Sequence, residues 1–294
     1  MGAYLIKVIV TGSSGFIGAH LVAHLASKGF QVLAMQRREP KQLATGVDFQ
    51  RYELSSPVND SKFDDASYLI HAAYQPYSRI NRDSKKVNQS GTRNLITVCK
   101  KRGIKIIFLS TMSAHEEAES NYGKSKLDIE KMFNHDQDLI LKLGMVLGNG
   151  GLFGRIVNAI SVSSVLPLVA GDKLIQTVAL TDLFALLEIG MSKQITGSYA
   201  IGESDPVSLK VLYKTIADAV SCSRLFVPIP IGFIQLVCSI AETFGITLPI
   251  TTENILGLKK MRTFKTEDSL EVFSYQLPSY DKSIQNLLIS GDEG

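Results

Sequence analysis

The sequence predicts an α/β protein built on a doubly wound parallel sheet, followed by a small C-terminal lobe. Three observations predict it: an apolar run near the N-terminus closed by a glycine-rich turn, strands and helices that alternate after it, and a change of texture past Gly148. Of the 294 residues, 45% are hydrophobic and 20% charged, enough for a sizeable core and too apolar for a disordered or fibrous chain. Lys plus Arg number 31 against 28 Asp plus Glu, and the net charge of +3 gives no reason to expect nucleic acid as a partner.

Leu5 to Val10 is apolar apart from Lys7, which fits a strand buried on both faces. Phe16, Ile17, Leu21 and Leu25 then repeat at helical spacing and stop at Lys28-Gly29. Gln31 to Met35 reads as a second strand and Tyr68 to Ala72 as another. A helix near Lys85 to Arg102 precedes the strand Ile104 to Leu109. A helix from about Asn121 to Phe133 and a strand from Leu139 to Leu143 extend the series. Past Gly148 glycines and prolines interrupt shorter segments, while Thr181-Asp182 looks like a helix start and Ser198 to Ile201 like a strand able to return to the first sheet. The expected division is a dinucleotide-binding domain over 1–148, completed by about 172–201, with 149–294 mainly a substrate lobe.

The turn after the first strand reads Thr11-Gly12-Ser13-Ser14-Gly15-Phe16-Ile17-Gly18. Gly12 permits a tight turn, Gly15 lets backbone approach a pyrophosphate, and Gly18 allows close packing of helix on strand. Free amides around Ser14, Phe16 and Ile17 would meet the negative charge at the positive end of the helix. This order of strand, glycines and helix is a Rossmann-type arrangement. After the second strand, where an acidic residue would hold a free 2′-hydroxyl, the chain has Arg37 and Arg38, about 20 residues past the third glycine. Guanidinium forks there predict a preference for NADP(H), with NAD(H) the alternative.

Tyr122 and Lys126 stand four apart in Asn121-Tyr122-Gly123-Lys124-Ser125-Lys126, so a helix puts them on one face. A nearby cation favours phenolate over phenol, bringing the tyrosine toward acid-base work near neutral pH. Ser110 and Thr111 end the preceding strand and offer hydroxyls to a reacting oxygen while a nicotinamide moves a hydride.

With these residues in this order, the sequence resembles the extended short-chain dehydrogenase/reductase superfamily, in its NAD-dependent epimerase/dehydratase group. The likeness rests on Thr11 to Gly18, Leu69-Ile70-His71-Ala72-Ala73, Val87 to Leu95, Phe108-Leu109-Ser110-Thr111 and Tyr122 to Lys126. It continues weakly through Gln176 to Asp182 and Thr252 to Leu258. The resemblance implies that Glu53 and Leu54 border the adenine and that Ala72 and Ala73 line the nicotinamide side. It also implies that Lys126 holds the nicotinamide ribose, that Thr111 takes the family's Ser/Thr role and that Tyr122 is the acid-base group. The expected enzyme is an oxidoreductase or epimerase acting on a small molecule at a carbon bearing a hydroxyl or carbonyl, with a nucleotide sugar among the candidates. The competing reading is a non-catalytic NADP(H)-binding subunit or redox sensor; the intact Thr111, Tyr122 and Lys126 favour the enzyme. Two departures stand out: the segment between Thr111 and Tyr122 is short, and Lys142 and Met145 lie where many sugar-nucleotide members carry Arg and Asn.

Other features carry weaker expectations. Cys99, Cys222 and Cys238 are too few and too widely spaced for a disulfide framework and read as core thiols. The N-terminus shows neither a basic leader nor a cleavage site, so a cytoplasmic protein with no transmembrane segment is expected, and a homodimer is a candidate assembly. His20 and His24 have metal-ligand spacing without a third ligand, and no metal is expected. The basic run from Arg79 to Lys105 reads as a solvated face, and His71 as a packed strand-end residue rather than a base. Leu225 to Ile240 is too short and too interrupted by Pro228 and Pro230 to span a bilayer; core or a subunit interface is expected, with a membrane-surface contact as the alternative.

Overall fold

The computed structural model describes residues 6–77, 83–246, 248 and 250–288. In chain order the elements are β1 (Lys7–Thr11), α1 (Phe16–Ser27), β2 (Gln31–Gln36), β3 (Val47–Arg51), β4 (Ala66–His71), α2 (Ser84–Arg102), β5 (Lys105–Thr111), α3 (Asn121–Glu130) and β6 (Leu139–Leu143). They continue as β7 (Met145–Leu147), α4 (Gly151–Val162), β8 (Val165–Val169), β9 (Leu174–Ile175), β10 (Thr177–Ala179), α5 (Leu180–Ser192), β11 (Gly197–Ile201), β12 (Val207–Ser208) and α6 (Leu209–Ala219). The last are β13 (Leu225–Ile229), α7 (Ile231–Thr243), α8 (Thr252–Lys259), α9 (Glu267–Phe273) and α10 (Tyr280–Leu288). Leu5, expected in the first strand, and Arg79, which opens the basic run, lie outside the described residues.

The chain divides into two compact units. One comprises Met1–Ser110, Ser125–Lys142 and Leu183–Tyr199; the other comprises Thr111–Lys124, Leu143–Asp182 and Ala200–Gly294. The first is organised by a seven-stranded sheet in the order β11-β6-β5-β4-β1-β2-β3. The β1–β2, β1–β4, β2–β3 and β4–β5 pairings are all parallel. Val8, Ile9 and Val10 are fully buried, as a strand covered on both faces requires. Ile9, Leu33, Leu69, Ile106 and Ile140 of the sheet pack with Leu95 and Cys99 of α2 and Ile129 of α3. The strand order reverses at β1, with β2 on one side and β4 on the other, so the ends of β1 and β4 flank the crevice where open α/β sheets bind ligands.

Three details differ from the sequence expectation. β3 is an additional strand; its polar alternation, with Asp48 and Arg51 exposed, suits a sheet edge and hid it among loop residues. α3 ends at Glu130 rather than Phe133, the last residues closing in a turn. In the basic run, Lys85 pairs with Asp128 at 2.7 Å and Arg102 with Asp60 at 2.8 Å, so part of that charge is locally compensated.

The second unit has its own core, in which Phe153, Ile156 and Ile160 of α4 pack with Leu212 and Ile216 of α6 and Ile284 of α10. Ser208 caps α6 by accepting from the Val211 amide. The Leu225 to Ile240 stretch is two elements, with Pro230 standing at the N-cap of α7 after β13. Of the expected core or subunit interface, little is core within this chain: in α7 only Cys238 and Ala241 are buried, while Phe233 and Leu236 are more than half exposed. Cys99 and Cys238 are buried and Cys222 partly so. Among the described residues, no helix is long and apolar enough to cross a membrane.

Glu203 follows β11 and is buried. Its Oε1 accepts from the Thr177 amide and hydroxyl, both at 3.1 Å. Burial pushes this carboxyl up to about 7, against the lowering effect of the Thr177 bonds. A carboxyl that takes up a proton more readily folded than unfolded loses stability as pH rises from the ordinary carboxylate range through 7. Glu203→Gln should therefore raise stability at pH 8 by on the order of 2 kcal/mol and give no gain at pH 4. Denaturant unfolding at the two pH values checks this; an equal effect at both would contradict it.

Candidate active site

Within the first unit, the glycine loop is shaped by contacts that exclude side chains. Gly12 has φ +71°, and a Cβ there would lie 2.7 Å from the Ala73 amide nitrogen and 2.9 Å from the Ala72 carbonyl carbon. A Cβ on Gly18 would come within 2.2 Å of the Gly12 carbonyl oxygen, and one on Gly15 within 3.2 Å of it. The turn is pinned by the Gly12 amide donating to Met35 O at 3.0 Å and the Gly15 amide to Gly12 O at 2.9 Å. Gly15 occupies the N-cap of α1 without a side-chain cap, and the first turn holds no acidic residue. The helix start is thus left open to an anionic group, with its positive end undiluted. Tight glycines and open amides fit a dinucleotide pyrophosphate.

Ala72 and Ala73 abut this loop: the Ala72 amide donates to Thr11 O at 3.3 Å and the Ala73 amide to Thr11 Oγ1 at 3.3 Å. Thr11 Oγ1 is also 2.8 Å from His71 Nδ1, and His71 Nε2 is 2.9 Å from Thr92 Oγ1. Burial, reinforced by the Lys126 charge, pushes the His71 imidazole down to about 3, so it serves as a neutral bridge between β1, β4 and α2. Leu54 packs on α2, where a Cβ on Gly91 would lie 2.5 Å from the Leu54 carbonyl oxygen; Glu53 is exposed and accepts from Ser55 Oγ at 2.7 Å. His20 and His24 are engaged locally, with Phe16 O at 2.8 Å and Glu188 Oε1 at 2.5 Å respectively.

Lys126 is buried in the same unit. Its Nζ donates to Leu109 O at 2.6 Å and lies 4.5 Å from the Phe108 ring centroid and 5.2 Å from that of Tyr74. Burial pushes the ammonium down to about 7, and Glu130 opposes that shift. Glu130 accepts from Ser110 Oγ and, at 3.0 Å, from Lys142 Nζ. Sequence reasoning missed Glu130, although its place four residues past Lys126 puts it on the same face of α3. Lys142, where many sugar-nucleotide members carry Arg, is held by this internal ion pair.

Thr111 and Tyr122 belong to the second unit. The Thr111 Oγ1 accepts from the Ser113 amide at 3.2 Å, so its hydroxyl proton remains available to an outside acceptor. Tyr122 is 39% exposed, one residue into α3, and Glu253 holds the start of that helix by accepting from the Asn121 amide at 2.8 Å and side chain at 2.6 Å. A Cβ on the following Gly123 would sit 2.3 Å from Ser113 O, so the segment after β5 packs directly on the helix backbone.

Comparison with known proteins follows the same outline. A family model described as the NAD dependent epimerase/dehydratase family matches residues 8–135. A ceramide reductase of Caulobacter vibrioides is 32% identical over 123 residues, covering 40% of this chain and 39% of that protein, so the chain spans about two fifths of that curated relative's length. Among solved structures, WbmG of Bordetella bronchiseptica in complex with NAD gives a TM-score of 0.75 at 14% identity, covering 99% of this chain and 95% of that one. MoeE5 in complex with UDP-glucose and NAD gives 0.73 at 19% identity, covering 96% and 97%.

The expected preference for NADP(H) is corrected by these comparisons. WbmG holds NAD, as do MoeE5 in two complexes and two further proteins of the same fold. The strand end itself is occupied by an amide. β2 ends at Gln36, whose Oε1 accepts from Ser13 Oγ at 2.9 Å and whose Nε2 donates to Arg38 O at 2.8 Å. An amide thus stands beside the glycine loop, while Arg37 and Arg38 are exposed beyond the strand end.

Gly18→Ala should displace the Gly12 carbonyl and weaken NAD binding by about tenfold or more, ~1.4 kcal/mol. Isothermal titration with NAD checks this, and wild-type affinity in the variant would contradict it.

Proposed function

We propose that this chain, whose residues 8–135 match the NAD dependent epimerase/dehydratase family model, is an NAD-dependent oxidoreductase or epimerase acting on a carbon that bears a hydroxyl or carbonyl. The observation that carries the reading is α3: an accessible Tyr122 one helical turn before a buried Lys126, in a chain whose glycine loop leaves a helix start open to pyrophosphate. The division of labour follows from the residues. The amides at the start of α1 bind the pyrophosphate, and Ala72 and Ala73 border the same crevice on the nicotinamide side. Leu54 and Glu53 border the adenine, and Lys126 holds the nicotinamide ribose.

Bound NAD supplies the hydride acceptor at its nicotinamide. In the oxidising direction Tyr122, as phenolate, takes the proton of the substrate hydroxyl as the carbon gives up its hydride. In the reducing direction the phenol returns that proton to the carbonyl oxygen. Thr111 donates its hydroxyl proton to the reacting oxygen, the Ser113 amide having fixed the direction of its lone pair. Lys126, charged one turn away, favours phenolate at Tyr122. A nucleotide sugar is a candidate substrate through the fold shared with MoeE5, which holds UDP-glucose. Lys142, where many sugar-nucleotide members carry Arg, is engaged by Glu130 at 3.0 Å.

Tyr122→Phe should lower turnover by about 10²-fold or more while NAD affinity stays within about threefold of wild type. Transfer of label from 4-deuterated NADH into a panel of carbonyl compounds and nucleotide sugars provides the assay. Full turnover in the variant would contradict the role, and tight NAD binding without transfer to any member of the panel would favour a non-catalytic sensor.

A further inference from the structure

Glu130 is 7% exposed at the end of α3, and its two carboxylate oxygens have different partners. Ser110, the penultimate residue of β5, donates its hydroxyl to Oε1; Lys142, in β6, donates Nζ to Oε2 at 3.0 Å with its own side chain 15% exposed. A buried ion pair of this kind is costly to assemble, and apolar residues of the same volume would hold three elements together at least as well. What an apolar cluster would not supply is negative charge one helical turn from Lys126. That ammonium is surrounded by the Leu109 carbonyl and the rings of Phe108 and Tyr74.

Building on the catalytic reading above, we propose that Glu130 is a positioning residue, a buried carboxylate that ties α3 to the ends of β5 and β6 and supplies the counter-charge that keeps Lys126 an ammonium. Ser110 precedes Thr111, so the same carboxylate also fixes the strand end from which the reacting hydroxyl projects. The other charged groups leave this role to Glu130. His71, facing from β4, is neutral because burial holds it down to about 3. Lys142 opposes the effect and is compensated by the carboxylate itself. Lys85 and Asp128, on α2 and α3, neutralise each other at 2.7 Å, both more than a third exposed. Desolvation drives the Lys126 proton off as pH rises through about 7, and Glu130 resists that loss.

The test reads Lys126 directly. Lysine carrying ¹³C at Cε is incorporated into the full chain, the Lys126 signal is assigned by its loss in Lys126→Met, and its titration midpoint is followed in wild type, Glu130→Gln and Lys142→Gln. Glu130→Gln should lower the midpoint by about one pH unit or more, and Lys142→Gln should raise it, because that change removes a positive charge and leaves the carboxylate unopposed. The alkaline limb of the kcat profile should follow in the same directions. A midpoint unmoved in both variants, or moved the same way in both, would overturn the inference. Two variants of opposite sign keep the test decisive if one fails to fold. The titration needs no turnover, so an unmoved midpoint counts against Glu130 alone, whereas turnover surviving in Tyr122→Phe counts against the catalytic reading.

Discussion

The constraint on which the nucleotide site depends is the close approach of three backbones where β1 turns into α1. The Gly12 carbonyl lies where a Cβ on Gly18 would be, and the Ala72–Ala73 peptide lies where a Cβ on Gly12 would be. Any side chain at either position pushes the helix start away from the strand ends. The approach lets the β1 turn, the start of α1 and the segment after β4 meet at the point where the strand order reverses. Thr11, His71 and Thr92 back it from below through a chain of short hydrogen bonds, so a neutral histidine in an apolar layer serves the geometry rather than the chemistry.

A second layer of organisation is electrostatic. Lys126 has lost its water and retains one carbonyl, two aromatic faces and a carboxylate one turn away. Glu130 in turn binds Ser110 and Lys142, so α3, β5 and β6 share one buried polar network. Such a network is specific because each member is costly to leave unpaired. Lys142 illustrates the consequence: a basic residue at a position where many sugar-nucleotide members carry Arg is already held within the fold.

What was legible in the sequence was whatever a local pattern determines. The strand, glycine turn and helix from Lys7 to Ser27 are fixed by spacings within a few residues, and so is the pairing of Tyr122 with Lys126 on α3. What was not legible depends on direction or on tertiary contact. Arg37 and Arg38 stand at the right distance past Gly18, yet spacing does not show that β2 ends on Gln36, whose amide bonds Ser13 of the loop and the Arg38 carbonyl. β3 is polar because it is an edge, and so carries no buried-strand signal. Leu225 to Ile240 reads as one apolar run, but Pro230 divides it into a strand and a helix whose outer side stays exposed. Glu130 passes for an ordinary helix-surface acid until Ser110 and Lys142 are seen to close on it.

The glycine loop and the open start of α1 are proposed to hold the pyrophosphate of NAD. A crystal structure of the full chain grown with NAD tests this placement most directly. Pyrophosphate oxygens are expected at about 2.9 Å from amides in the first turn of α1, with Gly12 still at positive φ against Ala73. A nucleotide bound elsewhere, or a loop that must rearrange to admit it, would rule this placement out.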